Sequence, residues 1–194
     1  MLLNTSLRSS RVRLGFLCLG LFSLTILLGN WVVSNVGLAC GPNGPCLIPV
    51  WPGIMAPSGV LLAGFALVLR DALQNLLGKG WTIVAIAIGA LLSAWLAPAG
   101  IVLGSSLAFL FSELADLAVY TPLRERHLTA AIIISGLVGS LVDSVIFLSL
   151  AFGSLEYVWG QVLGKFWMSL LGGMVISLWH FRAQRLSFAS TSVR

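Results

Sequence analysis

Residues 128–152 read LTAAIIISGLVGSLVDSVIFLSLAF, an unbroken apolar stretch that holds one charge, Asp143, near its middle. A spanning helix needs about 20 mostly apolar residues, so this segment is long enough to cross a bilayer. It sets the expectation for the whole chain. Hydrophobic residues make up 58% of the 194, only 11 are basic and six acidic, and the mean hydropathy is +1.02. Soluble domains carry about a quarter charged residues, so composition points to an integral membrane protein. The net charge of +5 does not indicate nucleic acid here, because the basic residues cluster at the ends of apolar runs, where they act as topology signals.

Outward from that segment, five more runs have spanning character: Leu14–Val36, Ile54–Leu77, Trp81–Ala97, Ala99–Tyr120 and Tyr157–Phe181. Pro57 would sit in the first turn of the second span, where a missing N–H is tolerated, and Pro98 separates the third from the fourth as a tight hairpin. Gly37–Gly53 is uncharged and rich in Gly and Pro, and reads as an ordered external loop. With six alternating spans, Arg8, Arg11, Arg13, Lys79, Arg124, Arg126, Arg182, Arg185 and Arg194 all fall on one side, and only Glu156 on the other. Basic residues accumulate on cytoplasmic loops. The expected fold is therefore an all-α integral membrane protein with six transmembrane helices, both termini cytoplasmic, forming a single compact bundle over residues 1–194. Residues 1–13 would be a basic leader and 183–194 a tail. The first run is longer than the ~7–15-residue core of a signal peptide, which favours a retained helix over a cleaved one.

Charges inside spans cost between ~3 and more than ~10 kcal/mol unless they face a partner, a wet cavity or the bundle interior. Six such residues stand here: Arg70, Asp71, Glu113, Asp116, Asp143 and Lys165. At ~1.5 Å per residue, Arg70, Asp71 and Glu113 lie roughly 10 Å from the cytoplasmic face. Asp143 and Lys165 both lie roughly 12–14 Å below the external one, which makes them a candidate ion pair. Residues three, four or seven apart share a helix face. Ser105, Ser106, Phe109, Glu113, Asp116 and Tyr120 form one stripe; Gly136, Gly139, Ser140, Asp143, Ser144 and Phe147 form a second. Gln161, Lys165, Ser169 and Gly172 form a third. Three polar faces could line one cavity. Each feature also has a structural reading: small residues and ion pairs join membrane helices, and Arg70 could snorkel to the interface. Glu113 with Asp116 one turn away favours a shared proton or cation.

Cys40 and Cys46 flank Gly-Pro-Asn-Gly-Pro on the external side, where a disulfide can persist; free thiols are the alternative. No paired-histidine metal motif is present, and no serine or cysteine has a histidine at matching depth. Neither an enzyme nor a cofactor is therefore expected. Trp31, Trp51, Trp81, Trp159 and Trp179 near span ends suit interfacial anchoring.

Three stretches carry a family resemblance: GFALVLRDALQ at 64–74, SELADLAVY at 112–120 with Leu123-Arg124, and Ser135–Gly139 followed by Asp143-Ser144, Phe147 and the lone Lys165. Together they resemble the VUT family, known as queuosine precursor transporters and earlier described as vitamin uptake transporters. The resemblance implies an inner-membrane protein that takes up a 7-deazaguanine, with Asp143, Lys165, Glu113, Asp116, Arg70, Asp71 and Gln161 as substrate-binding or coupling residues. Phe109, Phe147 or Trp167 would be stacking faces for a flat base. The expected partners are a small-molecule substrate and the bilayer, with no nucleic acid and with a homo-oligomer left open; Ala90-x-x-x-Ala94 is compatible with a helix contact. The alternative function is a substrate-binding subunit of an ATP-driven vitamin importer.

Overall fold

The computed structural model describes the backbone of residues 2–41, 44–97 and 101–191, and within these the side chains of residues 9–175. Six helices carry the fold: α1 (Leu2–Asn35), α2 (Val60–Leu77), α3 (Lys79–Leu96), α4 (Val102–Leu123), α5 (Leu128–Phe152) and α6 (Val158–Thr191). Among the described residues, five of them, α1 to α5, are long and apolar enough to cross a membrane. Helices are the form that lets a lipid-embedded chain satisfy every backbone N–H and C=O within its own segment. Solvation is inverted relative to a soluble protein: Trp95 is 81% exposed and Leu91 72%, while Arg70 and Asp116 are fully buried. Such a surface is stable only against lipid.

The segment expected to be an external loop is instead an antiparallel sheet of β1 (Ala39–Cys40), β2 (Cys46–Trp51) and β3 (Ile54–Pro57), in the order β1-β2-β3. Leu47 pairs with Pro57 and Ile48 with Ala56. Pro57, expected in the first turn of a helix, ends edge strand β3 and α2 begins at Val60. A proline with no N–H to donate is tolerated on an edge strand. Pro49 sits in the central strand, where the register is irregular between it and Trp51; prolines inside sheets occur at such irregularities. Cys40 and Cys46 oppose each other across β1 and β2 and are joined by a disulfide.

Chain reversals need little length. Gly78 alone separates α2 from α3, with φ at +88°, a conformation that glycine adopts without steric penalty. Gly153, at φ +63°, ends α5 in the same way. Pro98, Trp179, Arg182, Arg185 and Arg194, which shaped the expected ends of the third and sixth spans, lie outside the residues described in side-chain detail.

Close approach of α2 to α6 depends on Gly64. A Cβ there would come within 2.8 Å of the Lys165 Cα and 2.9 Å of the Met168 Cβ. Neither atom can move without shifting a helix. Small residues at such crossings are what allow membrane helices to pack through van der Waals contact. We expect Gly64→Ala to lower stability by about 1–3 kcal/mol, the usual penalty for overpacking, measured as a lower midpoint of thermal unfolding in detergent. An unchanged midpoint would contradict this packing.

Candidate functional site

Arg70 projects from the middle of α2 into full burial, and three carboxylates surround it. Its Nε donates to Glu113 Oε2 at 2.9 Å, Nη1 lies 2.9 Å from Asp71 Oδ1, and Nη2 pairs with Asp116. The guanidinium presents donors in a planar fork, so one arginine can serve three anions on different edges. Glu113 and Asp116 are one turn apart on α4, which explains how both reach it. Below the charge, the Arg70 guanidinium lies 5.7 Å from the Tyr120 ring centre, and the Tyr120 hydroxyl donates to the Asp71 carbonyl at 3.2 Å. Gln74 extends the network: its side-chain amide donates to Thr121 Oγ1 at 3.0 Å, and Arg124 Nη1 donates to its backbone carbonyl at 3.0 Å. The alternative in which Arg70 snorkels to the interface does not hold, because its side chain is 0% exposed.

The second cluster joins α5 and α6. Lys165 Nζ donates to Asp143 Oδ2, to Gln161 Oε1 at 2.7 Å and to Ser144 Oγ at 3.0 Å. Gln161 and Lys165 are one helical turn apart and Asp143 and Ser144 are adjacent, so two short sequence spacings assemble the set. Three donors meet three acceptors.

Both clusters border one cavity of about 110 Å³. Glu113 borders it on one side, and Asp143, Gln161 and Lys165 on another. Phe109 and Phe147 add apolar faces. Phe109 keeps its position against Phe22, ring centres 5.8 Å apart, because Gly89 leaves it room: a Cβ there would meet the ring at 2.6 Å.

The three expected polar stripes contribute unequally. Asp116 turns away from the cavity to Arg70. Ser169 and Gly172 are consumed by packing, since Gly136 faces Ser169 and Gly172 faces Val68. Trp167 stacks on Trp51, ring centres 6.0 Å apart, and is not part of the cavity wall. Sequence reasoning missed the contribution of α1 and α3. Thr25 and Asn30 of α1 and Ser93 of α3 line the cavity. Ser105 donates to Asn30 Oδ1 at 2.9 Å and lies 2.8 Å from Ser93 Oγ. Asn30, inside the apolar run of residues 14–36, was the available signal.

Residues 94–179 match the model of a family described as "Putative vitamin uptake transporter". That segment of the chain is thus similar to the VUT family. The matched segment contains Glu113, Asp116, Asp143, Gln161 and Lys165, whereas Arg70 and Asp71 precede it. No curated protein and no solved structure matches the chain. The chain is thus a multi-pass membrane protein that resembles a transporter family over residues 94–179, with Glu113, Asp143 and Lys165 bordering one cavity.

Removing Arg70 would leave three carboxylates facing each other in a dry space. Breaking a buried ion cluster by deleting one partner costs about 3–5 kcal/mol. Arg70→Met should therefore unfold at a much lower temperature or denaturant concentration than the wild type. Adding Glu113→Gln to Arg70→Met should recover part of the loss by removing one of the stranded charges. Equal stability of the single and double variants would refute the clustering.

Proposed function

We propose that the protein imports a small purine-like solute across the plasma membrane, the best candidate being a 7-deazaguanine precursor of queuosine. Both termini lie in the cytoplasm in this reading. The single observation that carries it is the cavity in which Glu113 and the Asp143–Lys165–Gln161 set face the same space. The family's description as an uptake transporter supports the transport class. It leaves the solute open.

The chemistry of the cavity suits a flat heterocycle. Lys165 occupies one oxygen of Asp143 and the carbonyl of Gln161, while Asp143 Oδ1 and the Gln161 amide nitrogen have no protein partner among the described residues. A guanine-like edge has adjacent N–H donors beside a carbonyl, which a carboxylate and an amide N–H complement. Phe109 and Phe147 offer faces for the ring, and stacking on aromatics contributes about 1–3 kcal/mol per base in other nucleobase-binding proteins. Alternating access would then open this midplane site to one side at a time, as in transporters whose sites lie between packed helices. The position of Glu113, in contact with both Arg70 and the cavity, makes it the natural link between an occupied site and the buried network of α2 and α4.

The test is uptake of radiolabelled 7-deazaguanine into cells that lack their own import and synthesis routes. Expression of the wild type should restore accumulation. Asp143→Ala and Glu113→Ala, at matched membrane levels, should reduce it by about 10–100-fold, the equivalent of losing a hydrogen bond to a charged group worth about 1.5–3 kcal/mol. Failure of the wild type to restore uptake, or full uptake by both variants, would overturn the proposal.

A further inference from the structure

Among the described residues, the cation that borders the cavity is Lys165, and it has no proton left to give. Lys165 Nζ carries three donors, and Asp143, Gln161 and Ser144 take all three. Arg70 directs its fork at Asp71, Glu113 and Asp116. Two buried cations therefore face four carboxyl groups; Lys165, the one at the cavity wall, is spent on protein acceptors, and Arg70 lies behind Glu113, off the wall.

The hydroxyls around the same space are committed as well. Thr25 donates to the Phe22 carbonyl at 2.7 Å and Ser112 to the Phe109 carbonyl at 3.0 Å. Ser105 donates to Asn30, so the 2.8 Å contact between Ser93 and Ser105 must use the Ser93 proton. What these groups still offer is lone pairs. Among the described side chains bordering the cavity, the donors that remain are the Gln161 amide nitrogen and the second amide proton of Asn30, whose first goes to the Ile26 carbonyl at 3.1 Å. The wall is rich in acceptors and poor in donors.

We propose that this cavity selects neutral or cationic solutes rich in N–H or O–H donors, and rejects anions. A carboxylate or phosphate placed beside Asp143 and Glu113 would meet like charge with no free cation to offset it, in a space where screening by water is weak. A substrate ammonium or a cluster of ring N–H groups would meet the unused lone pairs. One feature opposes this selection: the first turn of α2, with Gly59 and Val60 at the cavity wall, presents a helix N-terminus worth roughly half a positive charge. With two carboxylates, Glu113 and Asp143, against the one Lys165 ammonium at the wall, that partial charge does not reverse the sign. Among vitamins, those that carry a carboxylate are excluded on this ground, and those that are neutral or basic are admitted.

The inference rests on the purine-like reading for its probes. Binding of 7-deazaguanine, its 7-aminomethyl derivative (a cation) and its 7-carboxyl derivative (an anion) would be measured by calorimetry on the purified full chain in detergent. The neutral and cationic probes should bind, and the carboxylate should bind at least about tenfold more weakly than the neutral parent. Asp143→Asn keeps the shape, removes one carboxylate and frees the Lys165 charge, so it should narrow or reverse that gap. A carboxylate that binds the wild type as tightly as the parent would overturn the selection and point to the α2 N-terminus as its holder. If none of the three binds, the purine-like reading fails, and the selection argued from it falls as well. Loss of the gap in Asp143→Asn, with folding verified by its thermal midpoint, would support it.

Discussion

One guanidinium holds the bundle's charged interior together. Arg70 bonds Asp71 on its own helix and both Glu113 and Asp116 on α4, and it does so without any access to water. In a lipid-facing protein the apolar surfaces of helices gain little by leaving the solvent, because the surrounding tails are equally apolar. Interhelical polar contacts and close packing must then specify the arrangement. Arg70 supplies the first, and glycines such as Gly64 and Gly139 supply the second. Gly139 is the place where the Asp116 Cβ would lie 3.0 Å from an added Cβ, so the two devices meet at one helix crossing. The carboxylate that pairs with Arg70 is seated because α5 has no side chain there.

The second cluster uses the same logic on a smaller scale, and its consequence is different. Lys165 with Asp143 ties α5 to α6, but the Asp143 side chain retains 19% exposure, toward the cavity. A charge pair that is satisfied and still partly open can hold two helices and present acceptors to a solute at once. Glu113 repeats the pattern from the other side, bonded to Arg70 and bordering the same space. The helix-joining and solute-binding readings of these charges are therefore not alternatives. Each side chain has one atom for each task.

The sheet β1–β3 shows where local patterns mislead. Its residues are Gly- and Pro-rich, which reads as loop, and Ile54–Pro57 is apolar, which reads as the start of a span. Pairing of Leu47 with Pro57 and Ile48 with Ala56 depends on two segments that are separated by a turn at Gly53, and no single-segment periodicity reports it. The packing of Gly160 of α6 against Met55 and Ala56 further anchors the strand to a helix about 100 residues away in the sequence. Likewise Asp116 and Ser169 belonged to polar stripes, but a stripe shows only that residues share a face. Which neighbour that face meets is settled by the rotation of the helix in the bundle.

The amino-acid sequence by itself determined the apolar helices in outline, the scarcity of charge within them, and the pairing of Asp143 with Lys165 as a candidate. Each follows from hydropathy and from the fixed rise of a helix, which are local properties of one segment. The tertiary structure alone decided that Arg70 is buried rather than snorkelling, that Thr25, Asn30 and Ser93 of α1 and α3 help build the cavity, and that Lys165 at its wall is fully spent on protein acceptors. Those outcomes depend on how helices far apart in the chain are rotated against each other. In lipid, that rotation is chosen by the few polar atoms that must find partners.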